Sequence, residues 1–458
     1  MKKYFFITGL IIIFINILVI YLFGIANFNF KNYISLAFFF AFIFYYKYYN
    51  IVNTKFLKIL KSVLILFSIF IYFWIIFICG YMIINYPEEK KFEEKLILPH
   101  ADKNWEENYY LLAEKLLEYQ KKYQNKIKID KELIYQYRSE PAIESLLEKT
   151  YNDRKKIIDF IISNNITLPE KEINFYSVTP KSLEIMNIFK LELIEITKYI
   201  NEGNFDAAEE KYTKLWHFVQ SNNNSNLTMI LYIVNTSCID LLINFYFNSE
   251  IKLLNSRNEI IDMIKSIDRT LEDKGKISFR YEYQYLRKIL KNNDAEFFKQ
   301  FNGLTDQNLK FIFFNNGWPF YDQYKTWRIY HEIFYKLELL FQKPFYSLSD
   351  GLKDYENFIK KNTEFSYFIN PIGQLVLTFS TPCFSGAILK KEILKSKINL
   401  FLHILNSSDK ELLDNIPTDN LTGRPYKIIK NDASTIIKSE CTDKNYNGEI
   451  NFKIKTNL

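Results

Sequence analysis

The chain has 458 residues and a formal net charge of +7. Residues 1–86 hold seven lysines and no Arg, Asp or Glu, so residues 87–458 are formally neutral, with 52 basic and 52 acidic side chains. Nucleic-acid binding depends on clustered Lys and Arg. Because the basic excess lies wholly in an apolar segment, the charge gives no support to a nucleic-acid partner.

Three apolar stretches predict transmembrane helices over residues 4–26, 33–49 and 62–84. The third has no charge and no proline, and its length can cross a hydrocarbon core about 30 Å thick. The second is shorter and spans only if its tyrosines sit at the interface. We therefore expect a membrane domain over residues 1–86, with the lipid bilayer as a partner.

The lysines of the short loops predict the orientation, because cytoplasmic loops carry the excess of Lys and Arg. With the N-terminus inside, six of the seven lysines are cytoplasmic and only Lys31 lies outside. An odd number of spans then places residues 87–458 outside the inner membrane. Two alternatives remain. The first span could be a cleaved signal peptide, although its apolar core is too long for one. The second stretch could lie in the interface, which would leave the large domain cytoplasmic.

Apolar residues spaced three and four apart predict a mainly α exported domain over residues 87–405. The predicted helices are 102–123, 141–162, 179–202, 227–247, 258–272, 279–291, 319–341, 350–361 and 385–405. Residues 375–379 fit either a strand or a helix.

Two of these segments have features beyond the helical spacing of their apolar residues. The stretch from Gly203 to Ala208, GNFDAA, resembles the turn and second helix of a tetratricopeptide hairpin. No second copy lies 34 residues away, so we expect a local helical hairpin and not a repeat array.

Residues 227–247 are apolar nearly all round. Because Asn235 and Asp240 lie in the middle, a core helix is favoured over a fourth span.

The last part of the chain, 406–458, is predicted to be a small antiparallel β unit. Residues 416–426 are rich in turn formers, and 427–430, 434–438 and 449–455 have the pattern of short strands. The mainly helical body would therefore end in a β-rich extension.

The turn-rich stretch resembles the ending of a loose group of uncharacterised bacterial envelope proteins, which have an N-terminal membrane anchor, a helical body and a terminal P-x-D-P-[FY]-[ST]-G-x-P stretch. More distantly it is similar to the C-terminal loop of type II secretion pseudopilins. The matching residues are Pro417, Asp419, Thr422, Gly423, Pro425 and Tyr426, whereas Asn420 replaces the usual proline. The resemblance implies an exported location and no defined activity. A pseudopilin itself is not expected, because no prepilin cleavage site precedes the first apolar stretch.

Metal chemistry has one candidate, a stretch that fits the first half of a calcium loop. Its residues are Asp443, Asn445, Asn447, Gly448 and Glu449. The twelfth position is Ile454, where such a loop needs a bidentate Glu, so an Asn-Gly hairpin turn is the simpler interpretation. The four histidines, His100, His217, His331 and His403, are far apart in sequence and lack the spacing of a zinc site.

Other candidate residues each have a structural interpretation beside the functional one. Trp105, Trp216, Trp318 and Trp327 could line a groove for peptide or glycan, or fill the core. Cys383 and Cys441 could form a disulfide, or be free buried thiols like Cys238. Glu282 could be a carboxylate of an active site, or pair with Arg280 or Arg287 on a helix surface.

No phosphate loop and no G-x-S-x-G elbow occur, so the sequence predicts no catalytic residue, no cofactor and no small-molecule ligand. The first function hypothesis is therefore a membrane-tethered helical scaffold that binds another envelope protein. The second is an enzyme acting on envelope polymers. The third is an accessory subunit of a secretion or pilus-like system, suggested by the tail alone.

Overall fold

A computed structural model describes residues 103–123, 131–167, 181–225, 228–291, 323–363, 385–407, 416–431, 434–439 and 451–455, with Phe73, Leu96, Ile129 and Leu377 as single residues. The chain forms two units, Met1–Tyr81 and Met82–Leu458. All described residues except Phe73 belong to the second. The predicted membrane helices 4–26, 33–49 and 62–84 lie outside the described residues, apart from Phe73.

Within these residues the second unit is mainly helical, with one small antiparallel sheet. The helices are α1 Lys103–Tyr123, α2 Lys131–Tyr135, α3 Pro141–Ser163, α4 Ser182–Asn201, α5 Phe205–Asn224, α6 Met229–Asn248, α7 Arg257–Lys291, α8 Gln323–Phe341, α9 Ser349–Thr363 and α10 Ser385–Asn406. The strands are β1 Lys427–Asn431, β2 Ser434–Lys438 and β3 Asn451–Lys455, paired in the order β1-β2-β3. The predicted mainly α body and terminal β unit are confirmed.

Helices α3, α5 and α7 lie side by side and run parallel, while α4 and α6 pack behind them in the opposite direction. Cross-helix hydrogen bonds fix these directions. Ser221 of α5 donates to Ile161 O of α3, and Asn223 of α5 donates to Thr270 of α7. Buried apolar residues of all five helices belong to one hydrophobic core.

The structure corrects the prediction of two helices over 258–272 and 279–291, because α7 is one helix of 35 residues. Gly275 lies in the interior of this helix, against Phe341. A Cβ built at Gly275 would stand 2.2 Å from Cε1 of that buried ring. The glycine therefore serves a close helix–helix approach and not a helix end.

Helix α4 spans Ser182–Asn201, against a predicted helix over residues 179–202. The helix begins at Ser182 with Lys181 in the N-cap position, and no side chain there accepts a cap hydrogen bond. The predicted start at residues 179 and 180 lies outside the described residues. At the other end Gly203 has φ +75°, the left-handed conformation that ends a helix. The Asn204 side chain then accepts from Ala207 N and begins α5.

Helix α6 is the one helix in the described part that is long and apolar enough to cross a membrane. Here it packs against α4, α5, α7 and α10. Asn235 donates to Val219 O at 3.2 Å, and Asp240 pairs with Lys397 of α10 at 2.5 Å. These contacts are those of the core helix that the sequence favours. Leu377, from the ambiguous run 375–379, is buried and helical.

Candidate functional site

Four charged side chains from three helices form a closed set in the middle of the body. We call Arg154 of α3, Glu192 and Glu195 of α4 and Lys211 of α5 the charged quartet. Arg154 binds Glu192 through Nε at 2.6 Å and also binds Glu195. Lys211 Nζ lies 2.8 Å from Glu192 and 3.1 Å from Glu195. The Arg154 side chain is fully buried.

The charges of the quartet balance, which satisfies the rule that buried charges are paired. Burial acts against the charge of Lys211, but Glu192 and Glu195 raise the pKa of its ammonium group above its usual value. Arg154 also donates to Leu147 O at 3.0 Å. The quartet therefore fixes α3, α4 and α5 in one arrangement.

Above the quartet, an open groove of about 630 Å³ follows the exposed face of α5. One wall comes from α3, with Tyr151 and Lys155, and the other from the start of α7, with Asn255 and Glu259. Between them α5 presents Asp206, Glu210, Lys211, Lys214 and His217. The lining holds five carboxylates and three lysines, a formal charge of −2.

Glu209 closes one side of this groove by capping α7. Its carboxylate accepts from the backbone N–H groups of Asn255 at 2.8 Å and Ser256 at 2.7 Å. The Ser256 hydroxyl donates to it as well, at 2.7 Å. Burial would raise the pKa of Glu209, but these hydrogen bonds outweigh it, so the pKa lies below its usual value. Glu209 therefore acts as a structural anion at a helix N-terminus.

A second cavity of about 260 Å³ continues the groove toward the end of α5, and the two share His217. Its lining has no Asp, Glu, Lys or Arg and is rich in carboxamides, with Asn164, Asn165, Gln220 and Asn224. We call the two cavities together the α5 groove. They give it a charged half near the start of α5 and an amide half near its end.

In the charged half of the groove, some side chains form ion pairs and others do not. Lys214 pairs with Asp159 at 2.6 Å, and His217 pairs with Glu259 at 2.9 Å. By contrast, Lys155, Asp206 and Glu210 are exposed and make no ion pair within the described part of the chain. These three groups are therefore available to a ligand.

Glu282, the candidate carboxylate of the sequence analysis, lies outside the α5 groove. Glu282 is partly buried on α7, and burial raises the pKa of its carboxyl to about 7. The expected pairing with Arg280 is wrong, because Arg280 binds Glu338 at 2.5 Å. Arg287 lies over the Trp327 ring, 4.4 Å from its centroid. Glu282 thus has no ion pair among the described residues and does not line the α5 groove.

Two tryptophans that could have lined a groove pack elsewhere. Trp216 is buried and stacks on Phe401, and Trp327 donates to the Tyr283 hydroxyl at 2.6 Å. The side chains of Trp105 and Trp318 lie outside the described part. Cys238 is buried and free, whereas Cys383 and Cys441 also lie outside it, so their predicted pairing stays a prediction.

The described histidines are well separated. His331 is buried against Tyr335 and Tyr283, His403 lies at the end of α10, and His217 lies in the groove. No group of three metal-ligating side chains forms among the described residues. The calcium-loop stretch, with Asp443, Asn445, Asn447, Gly448 and Glu449, and also His100, lies outside them.

The turn-rich stretch 416–426 has a structural role. Asp419 is fully buried, and its carboxylate accepts from Ser396 at 3.0 Å, Leu421 N at 3.0 Å, Thr422 at 3.1 Å and Ser439 at 2.5 Å. Gly423 has φ +67°, and its N–H donates to Asp419 O at 2.8 Å. These contacts hold the start of the β unit against α10.

Comparison with known proteins finds no matching family model, no similar curated protein and no similar solved structure.

Proposed function

We propose that the chain is a multi-pass protein of the cytoplasmic membrane that presents its helical domain outside the cytoplasm and binds another envelope protein through the α5 groove. The groove is the observation that carries this proposal. It is open and runs along the whole of α5. Some of its charged side chains are paired with one another, and others are exposed and can bind a ligand. Concave surfaces of this kind are the usual places for a ligand.

The location rests on the lysine distribution of residues 1–86 and on the three apolar stretches within them. A tetratricopeptide-like hairpin of α4 and α5 is part of the proposal, because Gly203 ends the first helix and Asn204 caps the second. In repeat proteins, stacked helical hairpins of this kind present binding surfaces.

Two experiments test this proposal. Reporter fusions after Tyr86 and after Leu458 should both report export, and cytoplasmic signals from both would contradict the topology. A photocross-linking residue at Lys155 in living cells should capture a specific envelope protein, mapped by mass spectrometry. The same residue at Asp350, exposed on α9, is the control and should not capture that protein.

An enzyme acting on envelope polymers is the second candidate, and one observation favours it. The pKa of the Glu282 carboxyl, about 7, falls in the range suited to a general acid or base. If this candidate is right, Glu282→Gln should abolish cleavage of purified envelope polymers by the full-length protein. Glu332→Gln, at an exposed position of α8, should leave cleavage unchanged.

A role in a secretion or pilus-like system rests on the tail stretch alone, and co-purification of secretion components would support it.

A further inference from the structure

From the chemistry of its two halves, we infer that the α5 groove binds an extended polypeptide segment that carries Lys or Arg side chains. This inference rests on the proposed function and names the class of its partner. Three features support it, namely the length of the groove, the charge of one half and the unbonded amides of the other.

The length of the groove suits an extended chain. Its floor runs from Asp206 to Asn224 on α5, a distance of about 27 Å at about 1.5 Å per residue. Strand-like polypeptide advances about 3.3 Å per residue, so about eight residues fit. Helix α3 and the residues after it flank both halves, whereas the start of α7 flanks the charged half.

The charged half favours a cationic side chain. Its lining has a formal charge of −2, and two of its three lysines, Lys211 and Lys214, are already bound to acidic side chains. The carboxylates of Asp206 and Glu210 are exposed and lie one helical turn apart on the same face of α5. A Lys or Arg side chain placed between them would bind both.

The amide half suits the polypeptide backbone. Asn165, Gln220 and Asn224 line it, and their side chains make no hydrogen bond in the described part of the chain. A carboxamide carries both donors and an acceptor, as does a peptide group, so the two are complementary. This half would therefore hold a backbone of almost any sequence, while the charged half selects the side chains.

Carboxamides and tyrosines also bind sugars, so an envelope glycan is the competing occupant. A neutral glycan would leave the charges of Asp206 and Glu210 without a counter-charge. The polypeptide matches both halves of the groove, and we therefore favour it.

The test uses full-length protein in detergent and fluorescein-labelled eight-residue peptides. The probes alternate Lys with Ser or Glu with Ser, and binding is followed by fluorescence anisotropy. We expect the lysine peptide to bind and the glutamate peptide not to bind. The double variant Asp206→Lys/Glu210→Lys should weaken the lysine peptide about tenfold or more. Added salt should weaken binding to the wild type as well.

Two further double variants test the amide half and provide a control for the charge change. Gln220→Ala/Asn224→Ala should weaken binding at low and at high salt, because it removes neutral hydrogen bonds. Asp350→Lys/Glu356→Lys, on exposed positions of α9, makes the same charge change away from the groove and should have no effect.

Equal binding of both peptides, or binding that ignores the change at Asp206 and Glu210, would overturn the inference. So would competition by a neutral envelope oligosaccharide that binds the groove in place of the peptide. The two levels of the account can fail separately. A groove-specific cross-link in cells without lysine-peptide binding leaves the proposed function standing and removes this inference. Peptide binding without any cross-link in cells leaves this inference standing and removes the proposed function.

Discussion

Asp419 and Ser396 join the C-terminal β unit to helix α10. The Ser396 hydroxyl donates to the Asp419 carboxylate at 3.0 Å and accepts from the backbone N–H of Asn420 at 3.0 Å. The Tyr426 hydroxyl donates to Ser396 O at 3.1 Å. One serine on α10 therefore makes three hydrogen bonds with residues 419–426 of the tail.

Replacing Asp419 should loosen the tail without unfolding the helices. Asp419→Ala removes a buried acceptor and leaves several donors unpaired, so we expect a loss of about 3 kcal/mol. Amide hydrogen exchange of residues 427–438 should become faster, while α4 and α5 keep their protection. Asp419→Asn, which retains one acceptor oxygen, should have a smaller effect. Unchanged exchange of the β unit in the alanine variant would contradict this role.

The charged quartet predicts a large effect from a single substitution. Arg154→Met leaves Glu192 and Glu195 in the interior with only Lys211 between them, so it should lower the free energy of unfolding by about 3–5 kcal/mol. Denaturant titration of the full-length protein in detergent measures this. Arg138→Met is the control, because Arg138 is exposed and lies 3.8 Å from Glu132. It should cost less than about 1 kcal/mol. Equal effects from the two variants would argue against the quartet as a structural centre.

Because Gly275 lies against Phe341, we expect the substitution Gly275→Ala to destabilise the folded protein. The gain in helix propensity is about 1 kcal/mol. However, the new Cβ would meet the buried Phe341 ring at 2.2 Å, so we expect a net loss of about 1–3 kcal/mol. Adding Phe341→Leu should recover part of it in a double-mutant cycle. Gly386→Ala on α10, where nothing lies within 4 Å of the new Cβ, should not destabilise.

Glu282 predicts a pH dependence of stability. Its pKa is raised from 4.5 to about 7 by burial, so the folded state binds the proton more tightly than the unfolded state. Stability should fall as pH rises from about 4.5 to 7, by about 2–3 kcal/mol in all. Glu282→Gln should therefore raise the melting temperature at pH 8 and have almost no effect near pH 4.5. A constant difference between variant and wild type at all pH values would contradict the burial of this carboxyl.

The sequence predicted most helices, because their apolar spacing is local information. For α3 this spacing marks one buried face that includes Ile143, Leu147, Ile157 and Ile161. It failed between residues 272 and 279, where α7 continues and Gly275 packs against the Phe341 ring of a helix farther along the chain. A local pattern cannot show such a contact.

The candidate site was not predicted, for a similar reason. The α5 groove depends on the separation of α3 from the start of α7, and no spacing within one segment reports it. One signal was present in the sequence. Arg154 lies on the apolar face of α3, and Glu192 and Glu195 lie among buried positions of α4. Charges at core-facing positions indicate buried ion pairs, and one of these three residues, Glu192, lines the groove.

Labelling of single cysteines at Lys155 and at Asp350 tests the account most directly. An impermeant maleimide is added to cells stripped of their outer membrane, and the rates are compared with those of the purified protein. We predict that both positions are labelled in cells, and that position 155 alone is labelled more slowly there than in the purified protein, because a partner occupies the α5 groove. Labelling that requires permeabilised cells, or equal rates at position 155 in cells and in the purified protein, would contradict the account.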